Sequence, residues 1–374
     1  MKTGKIILAA VLLFFCANST ALAEIPDCPE CTGEAAVLMD GSSGRVLYEK
    51  DSHRKLPMAS TTKIMTAITA LEYGKPEDIV VIPPEASGVE GSSIWLSPGE
   101  HHTLKDLLYG LMLRSGNDAA TAIALHIGGT VENFADKMNA LARKIGAEDS
   151  NFLNPHGLPD DNHYTTACDL ARITAYGLKN PGFREIVSTK YHTIPWDGHE
   201  WDRAMKNENK LLWNYEGANG VKTGYTKKAG RCFVGSAERD HMQLIAVVLN
   251  CGPMFEESAA LLDYGFENYK KYDIYNKGDR IRTVSVDKGK RSEVSLVAGK
   301  DYAVALKPGE KEKLHMKATL PESVKAPVSA GKKVGTVKIF LGDHLIGTIP
   351  IVTEKKVEKQ SFWDLFHRMV NIWR

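Results

Sequence analysis

The stretch Ala59-Ser-Thr-Thr-Lys-Ile64 decides the fold, because it opens a long helix and places two reactive side chains on one face of it. Apolar residues recur after it at spacings of three and four, which predicts a buried helix over residues 58–73. Positions three apart share a helix face, so the Lys63 ammonium can reach the Ser60 hydroxyl. Serine becomes a nucleophile beside a base, and a lysine that is buried or near another cation can serve as one. Taken alone, this spacing is common, and a lone serine before a helix is usually a cap.

The segments on either side predict an α/β domain over residues 24–272. A hairpin is expected over residues 34–50, where two apolar runs flank the turn Asp40-Gly-Ser-Ser-Gly44. The middle of the domain has helical periodicity, and the pattern after Gly220 changes to strands. Strands, a helical middle and returning strands indicate an antiparallel sheet with a helical subdomain. The further helices are expected over residues 104–113, 117–127, 131–144, 166–177 and 258–269.

Residues 273–353 have a different pattern, which predicts a small all-β domain. Short alternating apolar runs are divided by glycine, lysine and proline turns. This segment of the sequence has neither a histidine–cysteine cluster nor a paired-acid motif, so we expect it to be a spacer or a protein contact. A chain of 374 residues is long enough for two such cores.

The N-terminal end predicts export. Residues 1–23 combine a basic start, an apolar run and the small residues of Ala21-Leu-Ala23, which is the pattern of a cleaved signal peptide. The alternative is a retained membrane helix. The apolar run over residues 6–15 is shorter than the roughly 20 residues that a membrane span needs, which favours cleavage.

The C-terminal end, residues 354–374, predicts attachment to a membrane surface. A charged linker leads to Ser361, a plausible N-cap, and the residues after it divide into an apolar and a polar half at helical spacing. Such a helix suits the membrane interface, and aromatic side chains favour headgroup depth. The alternative is a terminal helix that packs on its own domain. The aromatic residues of the apolar half are Phe362, Trp363, Phe366 and Trp373.

Five cysteines follow the export signal, and an odd number leaves at least one thiol unpaired within the chain. Cys28-Pro-Glu-Cys31 has the C-x-x-C spacing of a redox or metal pair, but no second such pair completes a zinc site. Cys232 lies in the strand-like run 231–237 and Cys251 directly follows the next run, 243–250, and a tight turn joins the two runs. Either a cross-strand disulfide or two buried free thiols would satisfy this placement.

Two further motifs carry polar side chains suited to holding a peptide. Ser115-Gly-Asn117 lies between two predicted helices, where the serine can relay protons and the asparagine can donate to and accept from an amide. Lys222-Thr-Gly-Tyr225 lies on an apolar strand. Lys222 offers a positive charge and Thr223 a hydroxyl to a carboxylate, while Gly224 allows a close backbone approach. Each motif alone is equally well explained by a polar turn or an exposed strand end.

Together and in this order, S-x-x-K, S-x-N and K-T-G form the signature of penicillin-binding proteins and β-lactamases. The chain resembles the low-molecular-mass penicillin-binding proteins that act as D-alanyl-D-alanine carboxypeptidases. The small β domain and the amphipathic C-terminal helix are similar to that family's as well, so the resemblance covers nearly the whole mature chain. The stretches that carry it are residues 57–63, 113–120, 154–158 and 220–226.

The resemblance implies an acyl-enzyme mechanism that needs no metal or organic cofactor. The serine of the first motif attacks the carbonyl between two D-alanines, its lysine takes the proton, and the second motif protonates the leaving amine and holds the peptide. The expected catalytic residues are Ser60, Lys63, Ser115 and Asn117.

The third motif is implied to bind the substrate. Lys222 and Thr223 would hold the terminal carboxylate, and the backbone N–H groups of Ser60 and Tyr225 would form the oxyanion hole. The expected substrate-binding residues are Lys222, Thr223, Gly224 and Tyr225.

The implied partners are peptidoglycan stem peptides that end in D-Ala-D-Ala, β-lactam antibiotics that acylate the same serine, and the outer face of the cytoplasmic membrane. A formal net charge of +1 gives no reason to expect a nucleic-acid partner. A β-lactamase is disfavoured, because residues 159–164 lack the Glu-x-x-x-Asn pattern of class A enzymes. A non-catalytic penicillin sensor or wall-binding protein is disfavoured because every motif residue is present. The motifs do not exclude an endopeptidase.

Overall fold

The computed structural model describes residues 28–361, 363 and 364. The predicted signal peptide over residues 1–23 lies outside the described residues, as does nearly all of the predicted amphipathic helix. Within the described part of the chain, no helix combines the length and apolar character that crossing a membrane requires.

The described residues form two layered units. The helices are α1 Lys63–Tyr73, α2 Leu104–Leu113, α3 Asn117–Gly128, α4 Val131–Ile145, α5 Ala167–Gly177, α6 Pro181–Ser188, α7 Leu211–Asn214 and α8 Met254–Asn268. The strands of the first unit are β1 Ala35–Asp40, β2 Val46–Lys50, β3 Ile79–Val81, β4 His101–Thr103, β5 Tyr191–Ile194, β6 Arg203–Lys206, β7 Ala218–Thr226, β8 Gly230–Arg239 and β9 Met242–Leu249. Those that follow are β10 Lys270–Tyr275, β11 Arg280–Asp287, β12 Glu293–Ala298, β13 Tyr302–Leu306, β14 Leu314–Thr319, β15 Ser323–Lys325, β16 Lys333–Leu341 and β17 His344–Thr353.

The central sheet is antiparallel and has the strand order β2-β1-β9-β8-β7. Side chains alternate across it, because a strand has a period of two. Val37 of β1 and Val247 of β9 face one core, whereas their neighbours Leu38 and Val248 face another. Every residue of β9 is therefore buried, which explains its unbroken apolar sequence.

Helix α1 is the axis of the helical layer on one face of this sheet. It contacts α2, α3, α4, α5 and α6, and its first eight residues are all buried. Helices α5 and α6 pack on the sheet from the same side, and α8 covers the opposite face. The N-terminus of α1 points at β7, so that the first and third sequence motifs meet where these two elements come together.

The second unit is all-β. Its six-stranded sheet has the order β14-β16-β17-β12-β11-β15, and β10 pairs with β13 in a separate ladder. The predicted boundary between residues 272 and 273 falls within β10. The unit is fastened to the first by Arg45, which forms a 2.8 Å ion pair with Glu310, and by Asp40, whose carboxylate accepts a 2.9 Å hydrogen bond from the Ala305 amide.

The predicted elements of the first unit are confirmed with small shifts at their ends. The hairpin pairs β1 with β2 in antiparallel register, with Leu38 opposite Tyr48. The helix expected over residues 58–73 begins as a 3-10 turn, Ala59–Thr62, before α1. The closing helix begins at Met254, four residues earlier than predicted, where Pro253 is the N-cap and acidic side chains occupy the first turn.

Cys232 and Cys251 are free thiols, so the disulfide alternative is wrong. Cys232 packs in the core beneath the helical layer, whereas Cys251 packs in the core beneath α8. The sheet therefore separates the two sulfur atoms.

Candidate active site

Ser60 lies on a 3-10 turn whose shape is fixed by its two neighbouring threonines. The Thr61 hydroxyl donates to the Met58 carbonyl at 2.6 Å, and the Thr62 hydroxyl donates to the Ala59 carbonyl at 2.8 Å. Ala59 has a φ of 49°, a value that L-residues rarely adopt. These bonds hold the serine at the entrance of α1, half-buried, with its hydroxyl on a cleft.

Lys63 is fully buried, and its amine has three oxygen neighbours. Nζ lies 3.0 Å from Ser60 Oγ, 2.7 Å from Asn117 Oδ1 and 2.7 Å from the His156 carbonyl oxygen. The two carbonyl oxygens can only accept hydrogen bonds, whereas the serine hydroxyl can also donate. In the neutral amine, the two N–H groups are therefore committed to Asn117 and His156, and the lone pair faces the Ser60 hydroxyl.

The surroundings of Lys63 favour that neutral amine. Burial, and then the positive charge of Lys222, lower the pKa of Lys63 well below its ordinary value. Burial and a second cation, the two conditions that allow a lysine to act as a base, are both met in the structure. The pair can therefore transfer a proton from Ser60 to Lys63 without a metal or a third side chain.

The second motif borders the same cleft at the start of α3. Ser115 has a φ of 59°, and its buried Oγ has no hydrogen-bond partner among the described residues. The Asn117 side-chain amide donates to the Glu90 carbonyl while its oxygen accepts from Lys63. The unpartnered hydroxyl of Ser115 is consequently available to a group that enters the cleft.

The third motif forms the opposite wall of the cleft. Thr223, Gly224 and Tyr225 line it, and Gly224 lies so close to the turn that a Cβ atom there would be 2.9 Å from the Ser60 nitrogen. Lys222 is buried, with its Nζ 3.1 Å from the Thr223 carbonyl oxygen. Burial lowers the pKa of Lys222 to about 8, although the charge of Glu208 opposes this shift. The positive charge of Lys222 therefore acts on the cleft from behind the wall that Thr223, Gly224 and Tyr225 form.

The cleft between these motifs has a volume of about 740 Å³. Sequence reasoning identified five of the eleven lining residues and missed six, because those six belong to no motif and come from loops, from β8 and from the start of α8, which only the fold brings together. The lining residues identified from the sequence are Ser60, Ser115, Thr223, Gly224 and Tyr225; those missed are Ser92, Glu208, Lys210, Arg231, Met254 and Phe255.

Two histidines support the site from the loop that follows α4. Burial, and then the charge of Lys63, lower the pKa of His156 to about 3, and its contribution to Lys63 is its backbone carbonyl. Burial lowers the pKa of His163 to about 4. His163 Nδ1 accepts from the Leu153 amide, so Nε2 carries the proton and donates to Thr62 Oγ1 at 2.9 Å. His163 therefore braces the turn that carries Ser60.

Comparison with known proteins gives consistent matches over both units. Residues 22–252 match the family Peptidase S11, described as D-alanyl-D-alanine carboxypeptidase, and residues 269–359 match the C-terminal domain of penicillin-binding protein 5. The chain is 32% identical to the D-alanyl-D-alanine carboxypeptidase DacF of Bacillus subtilis over 387 residues, which cover 99% of this chain and 98% of that protein. It is also 32% identical to DacC of Escherichia coli, over 98% of this chain and 96% of that protein.

Solved structures resemble the chain over a similar span. Penicillin-binding protein 5 of Haemophilus influenzae superposes with a TM-score of 0.73 at 30% identity, covering 89% of this chain and 99% of that one. A D-alanyl-D-alanine carboxypeptidase of Francisella tularensis, DacD, superposes with a TM-score of 0.66 at 27% identity, covering 93% of this chain and 99% of that one.

Substitution of Gly157 tests how closely the loop after α4 packs against the turn that carries Ser60. Gly157 has a φ of 91°, and a Cβ atom there would overlap the Ala59 carbonyl. Gly146 has a similar φ of 88° but open space around it, so Gly146→Ala is a matched control for backbone strain alone. We expect Gly157→Ala to lower the free energy of unfolding by about 1–3 kcal/mol more than Gly146→Ala, since overpacking has costs of that size. Denaturant unfolding measures both, and equal losses would contradict the close packing described.

Proposed function

Because this chain belongs to the D-alanyl-D-alanine carboxypeptidase family Peptidase S11, we propose that it hydrolyses the bond between the two D-alanines that end a peptidoglycan stem peptide. The observation that carries this proposal is the buried Lys63 amine, which lies 3.0 Å from the Ser60 hydroxyl at the floor of an open cleft. Family membership makes the chain a serine carboxypeptidase, and the pair of side chains supplies the nucleophile and its base.

The acylation step follows from the positions of these groups. Ser60 Oγ attacks the penultimate D-alanine carbonyl as its proton passes to Lys63 Nζ. The oxyanion would be held by the backbone N–H groups of Ser60 and Tyr225, and one such donor is typically worth a factor of about 10²–10³ in rate. The C–N bond then breaks, Ser115 relays a proton from Lys63 to the departing amine, and free D-alanine leaves. Water releases the shortened peptide from Ser60.

The wall formed by β7 would bind the terminal carboxylate. The Thr223 hydroxyl is on the cleft, and the Lys222 ammonium behind it adds positive potential. Asn117 would hold the peptide backbone, and Arg231 adds an exposed positive charge at the cleft. A β-lactam presents a similar carboxylate and a strained amide, so it should acylate Ser60 through the same contacts.

A β-lactamase remains disfavoured by the surroundings of the base. The loop after α4 presents the His156 carbonyl to Lys63 and not a carboxylate that could activate the deacylating water. Asp161 of that loop forms an ion pair with Lys228 and is exposed. Slow release of an acylating β-lactam is therefore the expected behaviour.

The proposed activity is tested by incubating the purified chain with a peptide that ends in D-Ala-D-Ala and measuring free D-alanine. We expect release that disappears in Ser60→Ala, because among the described residues Ser60 has the only hydroxyl that is hydrogen-bonded to the Lys63 amine. Labelling with a fluorescent penicillin should be lost in the same variant. Ser92→Ala is the matched control, since Ser92 lines the cleft but makes no contact with Lys63.

The outcomes of this assay separate the readings of the site. Penicillin labelling without D-alanine release would favour a sensor or an enzyme restricted to cross-linked peptides, and cross-linked dimers distinguish those two. Rapid hydrolysis of the bound penicillin would favour the β-lactamase as the function of the site. Release that persists in Ser60→Ala would overturn the assignment of the nucleophile.

The pH dependence of kcat/KM should be bell-shaped, because the two lysines must be in opposite states. Lys63 must be neutral to accept a proton, so the rate rises with pH through its lowered pKa. Lys222 must be charged to attract a carboxylate, so the rate falls as pH rises through about 8. In Lys222→Arg the basic limb should move far above pH 8, since a guanidinium stays protonated. An unmoved basic limb would show that another group titrates there.

We propose that the chain is exported and attached to the outer face of the cytoplasmic membrane. The basic and apolar start with Ala21-Leu-Ala23 supports a signal peptide that ends at residue 23. The aromatic residues of the apolar half of residues 361–374 support a helix that lies in the membrane interface.

This localisation is tested by N-terminal sequencing of the exported chain and by sedimentation with lipid vesicles. We expect the mature chain to begin at Glu24 and to bind vesicles, and binding should be lost in a chain that ends at Gln360. Phe366→Ser with Trp373→Ser should weaken binding, because two apolar anchors are removed. His367→Ser with Asn371→Ser changes the polar half equally and should not. Vesicle binding by the chain that ends at Gln360 would contradict this anchor.

A further inference from the structure

Two thiols and a carboxylate from three separate segments meet under α8. Cys31 precedes β1, Cys251 follows β9, and Glu257 lies in the first turn of α8. The two Sγ atoms and a carboxylate oxygen all lie within 4.8 Å of one another. We infer that these three side chains bind a divalent metal ion of the zinc type, at a site separate from the catalytic cleft.

The carboxylate is oriented as a metal ligand would be. Both thiols contact the same oxygen, Glu257 Oε2, at 2.9 Å. The other oxygen, Oε1, accepts from the Thr32 hydroxyl at 2.5 Å and from the Thr32 amide at 3.0 Å. Oε2 thus faces both sulfur atoms, and it also accepts from the Thr32 amide at 3.0 Å and from the Gly33 amide at 3.4 Å, so that neighbouring donors hold both oxygens in place. Ligating carboxylates are commonly held by such outer hydrogen bonds.

The donor set favours zinc over calcium or magnesium. Thiolates are soft ligands that select zinc, whereas calcium and magnesium require oxygen ligands. Zinc takes four ligands, and Cys28, which precedes Cys31 at the C-x-x-C spacing of zinc sites, would have to move its exposed thiol toward the three clustered ligand atoms to supply the fourth. The fold therefore provides, from Cys251 and Glu257, the two ligands that the sequence spacing lacked.

Binding of the metal ion would release protons from the cysteine thiols. Each cysteine must lose its proton to coordinate the ion, while the glutamate binds as the carboxylate it already is. Zinc thus displaces the thiol protons to solvent, and no electron is transferred. A Cys31–Cys251 disulfide is the competing product, but it would need an oxidant and would remove both thiol donors from Glu257 Oε2.

The ion would fasten the beginning of the first unit to one wall of the cleft. Met254 and Phe255, which line the cleft, lie between Cys251 and Glu257 in the sequence. Phe255 also packs edge-on against Phe233 of β8. A metal held by both flanking residues would restrict the position of this segment. Its role is therefore structural, and Ser60 chemistry does not pass through it.

Cobalt titration of the reduced, chelator-treated chain tests this site without relying on activity. We expect one equivalent of Co²⁺ to bind with the absorption bands of tetrahedral cobalt–thiolate bonds, and Zn²⁺ to abolish them. Cys31→Ser and Cys251→Ser should each remove the bands, and Cys28→Ser should weaken them. Thr32→Val keeps every ligand but removes one bond to Glu257, so the affinity should fall roughly 10–100-fold.

Cys168→Ala is the matched control, because Cys168 is a buried free thiol in the other core. It should leave the cobalt bands unchanged, and penicillin labelling of Ser60 should report that each variant is folded. Failure to bind cobalt stoichiometrically would overturn the site, as would bands that survive the double Cys31→Ser, Cys251→Ser change. Isolation with a Cys31–Cys251 disulfide, followed by no metal binding after reduction, would identify a redox pair instead. Loss of the proposed peptidase activity alone would leave the metal result unaffected.

Discussion

The buried amine of Lys63 is the constraint on which the rest of the first unit depends. Placing a lysine in the buried first turn of a helix is costly unless its nitrogen is neutral or hydrogen-bonded. Here the three neighbours of Nζ come from the turn before α1, the start of α3 and the loop after α4. The helical layer must therefore assemble around α1 before this nitrogen is satisfied, which couples the packing of the domain to the formation of the site.

Close backbone approach on both sides of the serine turn completes that assembly. Gly224 allows β7 to pass beside the Ser60 nitrogen, and Gly157 allows the loop after α4 to pass over the Ala59 carbonyl. A side chain at Gly224 would push β7 away from Ser60, and one at Gly157 would push the loop that carries the His156 carbonyl away from the turn. The glycine of the third motif is thus required by the turn that carries Ser60.

The sequence predicted those features that depend on neighbouring residues. The serine–lysine pair follows from helix geometry, and the confirmed hairpin and helices follow from apolar periodicity. It could not place the His156 carbonyl or Glu208, because a backbone oxygen has no sequence signature and loop positions are set by the fold. That Lys222 contacts a carboxylate stays a prediction, and the sequence could not show that this side chain is buried with its Nζ 3.1 Å from the Thr223 carbonyl oxygen. The spacing of Cys28 and Cys31 pointed to a metal or redox pair, yet Cys251 and Glu257 are more than 200 residues away in sequence.

Of the two buried lysines, Lys63 and Lys222, one is neutral and the other carries a positive charge. They are close enough to repel each other, so the environment decides which one gives up its proton. Burial lowers the pKa of both lysines and Glu208 opposes both shifts, but the pKa of Lys63 is lowered further by the Lys222 charge. Lys63 therefore loses its proton first, and its neutrality removes the repulsion that would otherwise discharge Lys222. In the proposed acylation step, proton transfer from Ser60 would return the charge to Lys63, where the developing oxyanion would offset it. The Lys222 charge would thus keep Lys63 neutral before the attack, and Lys63 would carry a positive charge only while the intermediate exists.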